Sequence, residues 1–231
     1  MIATTRFVHI HLHKSGGTFV NECLLRFFPD ARRLGYHLPR SLLPAELAVL
    51  PVLGFVRNPW SYYVSWYAFQ SQRPQPNVLF RCLSENGALD FNATIRNMLT
   101  LDKRYDKLDE LLALLPGDYG THGLNVPAFA LAPIRDSGLG FYSFLFRYMY
   151  AGDPDSLFIG RTEMLRADLL AFLRSEQVDI SGALKEFIEH APPRNPSTHA
   201  AFADYYDGAT RRLVGARDGE LIERFRYRFD A

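Results

Sequence analysis

The sequence predicts an α/β fold in which helices flank a parallel sheet, and two observations support that prediction. Strand-like and helix-like segments alternate along the first 70 residues, and the same order returns near residue 156. Such alternation predicts parallel strands joined by right-handed crossovers. The chain has 231 residues, of which 48% are hydrophobic, so it can bury a sizeable core. We expect a single domain over 1–231, with a variable, mostly helical insertion at 71–154 on the acceptor side.

The elements follow from hydrophobic spacing and from turn residues. Alternating apolar side chains predict a first strand over Phe7–Leu12, and helical spacing predicts a helix over Phe19–Phe28. A second strand is predicted over Val52–Val56, followed by a helix over Trp60–Gln70, because Pro59 suits a first helical turn. The later predicted elements are a helix at Tyr105–Leu115, a strand at Ser156–Arg161 and helices at Glu163–Gln177, Ala200–Ala216 and Gly219–Phe225.

Composition and charge exclude several classes of protein. With 26 Lys+Arg against 25 Asp+Glu the net charge is +1, which argues against a protein that coats nucleic acid or an anionic membrane. Cys23 and Cys82 are too few for a disulfide scaffold and fit a reducing compartment. The sequence shows no secretion signal and no apolar stretch long enough to span a membrane. We therefore expect a soluble, cytoplasmic protein, and we leave its oligomeric state open.

The first strand-to-helix turn, His13–Thr18, has the composition of an anion site. Adjacent glycines let backbone N–H groups converge, and the following helix adds its positive N-terminus. The alternative is an ordinary turn with an exposed lysine. The residues that would contact a phosphate are Lys14, Ser15, Gly16, Gly17 and Thr18.

A second anion-binding element follows the second strand. Arg57 stands at the strand end, and Ser65 lies about two turns into the next helix. In the nucleoside-triphosphate loop G-x-x-x-x-G-K-[ST] the lysine follows the glycines, whereas Lys14 precedes them. Arg57 also occupies the place where an ATPase would carry a magnesium-binding Asp. The pattern thus predicts a phosphorylated donor that is handled without a metal.

These motifs resemble the sulfotransferases that use 3′-phosphoadenosine 5′-phosphosulfate (PAPS). His13–Thr18 is similar to their phosphosulfate loop P-K-[ST]-G-[GT]-T, and Phe55–Tyr67 to their V-R-[ND]-P and V-S-x-Y motif. Between them, His37–Pro44 resembles H-L-P-x-x-L-L-P, whose histidine is the catalytic base in cytosolic members. Three motifs in family order over residues 7–70 make this resemblance specific.

The resemblance implies a three-layer, P-loop-type fold and a role for each motif residue. Lys14 and His37 would be catalytic, the first stabilising the leaving group and the second acting as general base. The backbone of Ser15–Thr18 would hold the 5′-phosphate, while Arg57 and Ser65 would hold the 3′-phosphate. Phe19 matches a family tryptophan that stacks on adenine, although a core position for it is equally consistent with the sequence.

Three departures from the family pattern concern details of the site. His13 replaces a proline, Gly35 replaces a lysine two residues before the base, and the C-terminal R-K-G motif is absent. The missing cytosolic-type features at Gly35 and at the C-terminus favour a carbohydrate or related hydroxyl acceptor. Segments that resemble carbohydrate sulfotransferases occur at Phe158–Glu163, Asn195–Ser197 and Asp204–Tyr206.

The sequence leaves alternatives for the base and for the activity. His122, His11 and Glu163 are rival bases, and His9 with His11 lacks a convincing third metal ligand. An ATP-dependent small-molecule kinase and a non-catalytic nucleotide-binding protein are the competing functions.

Overall fold

The computed structural model describes residues 1–180, 182–192 and 200–230. The chain forms two compact units, one joining Met1–Arg57 to Met149–Pro196 and the other joining Asn58–Tyr148 to Ser197–Ala231. The sequence placed the start of the variable helical segment at residue 71, whereas the second unit starts at Asn58. The single domain expected from the sequence stays a prediction. No helix in the described ranges is long and apolar enough to cross a bilayer.

The sheet lies in the first unit and has five strands in the order β3-β1-β2-β4-β5. They are β1 Ile2–Ala3, β2 Val8–His9, β3 Arg32–Arg33, β4 Val52–Val56 and β5 Leu157–Arg161. β2, β4 and β5 are parallel, and β1 is antiparallel to both β2 and β3. The predicted α/β class, with parallel strands flanked by helices, is confirmed. The antiparallel edge was not predicted and makes the sheet mixed.

The first predicted strand is shorter than its apolar pattern. Only Val8–His9 of the expected Phe7–Leu12 is strand, because the ladder to β4 ends where Ile10 N–H donates to the carbonyl of Leu53 at 2.9 Å. The Ile10 carbonyl then accepts from the hydroxyl of Tyr150 at 3.1 Å instead of from a strand. A tyrosine far along the chain thus terminates the ladder.

Eleven α-helices are assigned in the described residues. They are α1 Gly17–Phe27, α2 Pro59–Ser71, α3 Val78–Leu83, α4 Phe91–Leu99, α5 Tyr105–Leu114, α6 Ala128–Leu131, α7 Phe141–Tyr150, α8 Leu165–Ser175, α9 Gly182–His190, α10 Gly208–Arg217 and α11 Gly219–Phe225. Two predicted helix starts were too early. Thr162–Met164 is a 3₁₀ turn before α8, and α10 begins only after Asp207, whose side chain caps it by accepting from Thr210 N–H.

The first unit's core packs α1, α8 and α9 against one face of the sheet. Phe7 makes edge-to-face ring contacts with Phe28 and Phe172, at 5.6 and 5.1 Å between ring centroids, and all of α1's buried apolar residues join this core. On the opposite face, Gly54 in β4 leaves a gap that the ring of Tyr150 fills, 2.5 Å from where a Cβ would lie. Burial of each large apolar side chain contributes about 1.5–3 kcal/mol, so these contacts fix the strand ends that carry the site.

The second unit is organised around a buried carboxylate. Asp218 accepts hydrogen bonds from the hydroxyl of Tyr63 at 2.6 Å and from Ser143 N–H at 2.9 Å. Burial raises the pKa of this carboxyl, and the two bonds offset part of the cost of removing it from water. Asp218 therefore ties α2 and α7 to the junction of α10 and α11.

Candidate active site

The turn before α1 is shaped to receive an anion. Lys14 and Gly16 both have left-handed backbone angles, φ 57° and 77°, and no side chain of the described residues caps α1 at Gly16. Left-handed residues next to a helix start turn successive N–H groups toward one concavity. A lysine in this conformation is strained, and such strain concentrates at functional sites.

Gly16 is also held by close packing. A Cβ on it would lie 3.1 Å from the side chain of Leu165, and its next neighbour would be Thr162. The Thr162 hydroxyl in turn donates to the Val56 carbonyl at the end of β4, at 3.0 Å. Sequence reasoning did not assign Thr162 or Leu165, although both follow a strand of the same parallel set.

Lys14 and Arg57 lie next to each other at the carboxyl ends of two neighbouring strands. Nη1 of Arg57 donates a long hydrogen bond, 3.5 Å, to the backbone carbonyl of Lys14. Burial first, and the nearby Arg57 charge second, lower the pKa of Lys14 to about 8. Two like charges held together favour a ligand of opposite charge. The two cations that the sequence assigned to the donor therefore lie side by side.

The two hydroxyls of the turn have different surroundings. Ser15 is buried and its Oγ donates to the carbonyl of His13 at 3.3 Å, so its hydroxyl takes part in the turn itself. Thr18, in the first turn of α1, is exposed. Gly17 opens α1 and is buried.

His37 is buried against the turn that carries Lys14. Its ring stacks on His13, with 3.8 Å between centroids and an angle of 17° between planes. Its Nδ1 lies 2.7 Å from the carbonyl oxygen of His11. A carbonyl only accepts, so Nδ1 carries the proton and Nε2 carries the lone pair. Burial, then the charges of His13 and His11, hold the pKa of His37 well below its usual value.

The three alternative candidates for the general base lie in different environments. His11 is buried, and its Nδ1 lies 3.3 Å from the amide Nδ2 of Asn21, whose Oδ1 lies 3.0 Å from Nδ1 of His9. Asn21 thus orients both imidazoles, and sequence reasoning did not identify this asparagine. Glu163 is exposed in the 3₁₀ turn before α8, and His122 is exposed in the second unit.

Arg40 holds the segment that carries His37. Its guanidinium donates to the carbonyl of Asp153 and to the hydroxyl of Ser156, both at 2.6 Å. His37 itself has a left-handed backbone, φ 48°, which costs free energy unless the surroundings impose it. Arg40 therefore tethers this segment to Asp153 and Ser156, a contact that the motif pattern did not identify.

Phe19 and Ser65 were assigned to the donor on the strength of the motifs. The ring of Phe19 is 4% exposed, stacks on Phe187 at 5.4 Å, and has the Arg166 guanidinium 5.0 Å from its centroid. This packing supports the core alternative, and adenine stacking stays a prediction. Ser65 is buried within α2 of the second unit, and its phosphate role also stays a prediction.

No group of three or more potential metal ligands occurs in the part of the chain that the structure describes. His9 and His11 are both engaged by the amide of Asn21. Nε2 of His9 is buried with no hydrogen-bond partner among the described residues. The expectation of metal-free chemistry still rests on the sequence pattern around Lys14 and Arg57, and it stays a prediction.

Comparison with solved structures assigns the chain to a known fold. Mouse sulfotransferase SULT7A1, in a crystal structure complexed with PAP, aligns over 94% of this chain and 83% of its own, with a TM-score of 0.54 and 12% identity. The fold is that of a sulfotransferase. The resemblance seen in the sequence is thus confirmed as a shared fold. No protein-family model matches the chain, and no curated protein sequence does. The Asn195–Ser197 similarity lies outside the described residues.

Proposed function

We propose that this protein is a sulfotransferase that moves a sulfuryl group from PAPS to a hydroxyl acceptor. The observation that supports this best is the pair of neighbouring cations, Lys14 and Arg57, beside an uncapped helix start. Bringing like charges together costs free energy, and attraction to a bound polyanion offsets that cost. The sulfotransferase fold and the PAP carried by the mouse structure support the choice of donor.

The residues of the first turn divide the work of binding the donor. The N–H groups of Ser15–Thr18 hold the 5′-phosphate, while Arg57, with Ser65 as the motif suggests, holds the 3′-phosphate. Lys14 stabilises the charge that builds on the oxygen between phosphorus and sulfur. Its lowered pKa rises again when the anion is bound, so the amine is charged in the complex.

His37 serves as the general base through Nε2, because Nδ1 keeps its proton for the His11 carbonyl. A bond forms between the acceptor oxygen and sulfur, and the bond from sulfur to the 5′-phosphate oxygen breaks. The electron pair leaves with 3′,5′-diphosphoadenosine, and the acceptor proton goes to Nε2 of His37. By analogy with phosphoryl transfer, positioning and charge stabilisation provide most of the catalysis.

The decisive experiment is calorimetry with 3′,5′-diphosphoadenosine, ADP and ATP–Mg²⁺, combined with transfer assays from labelled PAPS. We expect Arg57→Ala to weaken 3′,5′-diphosphoadenosine at least ~10-fold, as loss of a charge-assisted contact implies, while ADP binding barely changes. Arg174→Ala, an exposed arginine on α8, is the matched control.

Lys14→Ala and His37→Ala should each lower transfer roughly 10²–10⁴-fold. Preference for ATP–Mg²⁺ would favour the kinase instead. Donor binding without transfer to any acceptor would favour the non-catalytic protein. Cytoplasmic location stays a prediction from cysteine usage.

A further inference from the structure

An open cavity of about 600 Å³ lies beside α1 in the first unit. One wall is a single face of the helix, formed by Thr18, Glu22, Leu25 and Arg26, which follow one another at helical spacing. Arg33 of β3 and Tyr36, together with His11 and Asn21, complete the lining. The proposed roles of Lys14, His37 and Arg57 do not use this cavity.

The cavity adjoins both elements of the proposed chemistry. Tyr36 contacts the ring of His37 edge-on at 4.2 Å, and the ring of His11 lies 4.3 Å from that of His37. Thr18, another lining residue, belongs to the turn that the donor phosphate would occupy. A molecule in this cavity is therefore next to the donor loop and to the residues that surround the base.

The lining combines apolar surface with several polar groups. Among the described lining residues Leu25 is the one aliphatic side chain, while the others offer hydroxyl, amide, imidazole, carboxylate and guanidinium groups. Small-molecule sites in general are lined mainly by hydrophobic and aromatic side chains with a few polar groups that fix orientation, so the number of polar side chains here is high. The aromatic ring of Tyr36 with surrounding polar groups suits a polyol, whose C–H faces pack on rings while its hydroxyls hydrogen-bond.

The cavity also carries an excess positive charge. Arg26 and Arg33 oppose the one carboxylate of Glu22 in the lining. The charge of Arg33 contributes to lowering the pKa of His11 and of the Met1 amino group. Arg26 lies over the rings of Phe27 and Phe187, at 5.3 and 5.4 Å. Neither guanidinium forms an ion pair within the described ranges.

We infer that this cavity binds the acceptor, and that the acceptor is a polyol bearing an anionic group. Arg33 and Arg26 hold the anion, because guanidinium groups bind carboxylate and sulfate oxygens in pairs. Glu22 accepts hydrogen bonds from the polyol's hydroxyls, which selects a hydroxylated molecule over a simple acid. This inference rests on the proposed sulfuryl transfer and names its substrate class.

The test compares methyl β-glucuronide with methyl β-glucoside, which differ in one carboxylate. Ligand-observed NMR measures binding of each sugar to the full chain without donor, and labelled PAPS measures turnover. The variants are Arg33→Ala and Arg26→Ala, with Arg32→Ala as matched control, because Arg32 is the exposed neighbour on β3 that does not line the cavity. Glucose 6-sulfate then distinguishes a carboxylate from a sulfate ester as the bound anion.

We expect the glucuronide to bind at least ~10-fold more tightly than the glucoside, as one charge-assisted contact would produce. Arg33→Ala should remove that preference and Arg32→Ala should keep it. Equal binding of the two sugars, or a preference that survives Arg33→Ala, would overturn the inference. The binding measurement uses no donor. It therefore tests whether the cavity binds an anionic polyol even if 3′,5′-diphosphoadenosine does not bind and the proposed function is wrong.

Discussion

The ring of His11 lies directly against the backbone of Gly17. A Cβ on Gly17 would come within 1.9 Å of the ring carbon Cδ2 and within 2.4 Å of Nε2, far closer than any side chain tolerates. His11 also supplies the carbonyl that holds Nδ1 of His37. The second glycine of the turn is therefore required by the histidine that orients the proposed base, as well as by any bound anion.

Gly17→Ala should destabilise the protein and impair the site together. Overpacking of this kind costs about 1–3 kcal/mol, which corresponds to roughly 2–12 °C in melting temperature at this chain length. Calorimetric melting checks it, with Gly182→Ala as control, because a Cβ there meets nothing within 4 Å. The double variant Gly17→Ala/His11→Ala should recover part of the loss. Equal melting temperatures for Gly17→Ala and Gly182→Ala would contradict this account.

Stability should fall as the pH drops below about 6.5. Burial lowers the pKa of His9 to about 3 and holds those of His11 and His37 well below 6.5. Below pH ~6.5, the pKa of an ordinary histidine, these imidazoles become protonated in the unfolded chain but stay neutral in the native state. The free energy of unfolding therefore decreases by about 1.4 kcal/mol per pH unit for each histidine. Urea unfolding between pH 7.5 and 5 measures this slope.

His9→Gln should reduce that slope by about one proton. His190→Gln provides the control, because it replaces a histidine that is exposed. A flat profile from pH 7.5 to 5 in the unsubstituted protein would show that these imidazoles are accessible to protons.

Lys14 should react with amine acylating reagents at lower pH than an ordinary lysine. Its pKa is lowered to about 8, whereas the hydrogen bond with Asp136 raises the pKa of Lys103. Brief labelling across pH 6–11, followed by mass spectrometry, gives the pH at which each amine reaches half of its maximal labelling rate. This midpoint does not depend on how accessible the amine is. Added 3′,5′-diphosphoadenosine should move the Lys14 midpoint upward and slow its labelling. Identical midpoints for Lys14 and Lys103 would remove the electrostatic argument for a polyanion.

Arg40→Ala should lower turnover more than donor affinity. The guanidinium bonds to Asp153 and Ser156 hold the left-handed segment at His37, and they are remote in sequence from the donor turn. We expect transfer to fall at least ~10-fold, a loss of about 1.4 kcal/mol, with little change in 3′,5′-diphosphoadenosine binding. Arg174→Ala is again the control. A parallel loss of affinity and turnover would indicate general unfolding, which melting would reveal.

Tyr150→Phe should cost about 1–3 kcal/mol in the free energy of unfolding, because the change leaves a buried carbonyl without its donor. The hydroxyl donates to Ile10 at 3.1 Å and accepts from Phe55 N–H at 3.2 Å. Tyr105→Phe is the control, since its hydroxyl bonds to Asp136 at the surface. Urea unfolding measures the free energy of unfolding of both variants. Equal losses for Tyr150→Phe and Tyr105→Phe would show that the buried hydrogen bond contributes no more than the exposed one.

Sequence reasoning found the elements whose signal is local. β4 at Val52–Val56 and α11 at Gly219–Phe225 were predicted with the bounds that the structure has, because the strand is a continuous apolar run and the helix has apolar residues at helical spacing. Lys14 and Arg57 could be brought together from the sequence, since loops after neighbouring parallel strands share one sheet edge. β1 and β3 have two residues each, too few for any periodicity.

What the sequence could not supply are the contacts between distant residues. Arg40 reaches Ser156 across 116 positions, and no motif marks that pairing. Nothing in the sequence distinguishes Asn21 from the other polar residues of its helix, yet it orients His9 and His11. Such contacts depend on how helices and strands pack, which single-sequence periodicity does not contain.

The tyrosine in the gap at Gly54 has a consequence for synthesis on the ribosome. The sheet's central strands emerge first, but Tyr150 is made 140 residues after Ile10, whose carbonyl it satisfies. Contacts of such long range form late, after the loop-closure entropy has been overcome. A nascent chain halted before Met149 would expose an unfinished strand pair and half of a discontinuous unit, a state in which chaperones bind and misassembly begins.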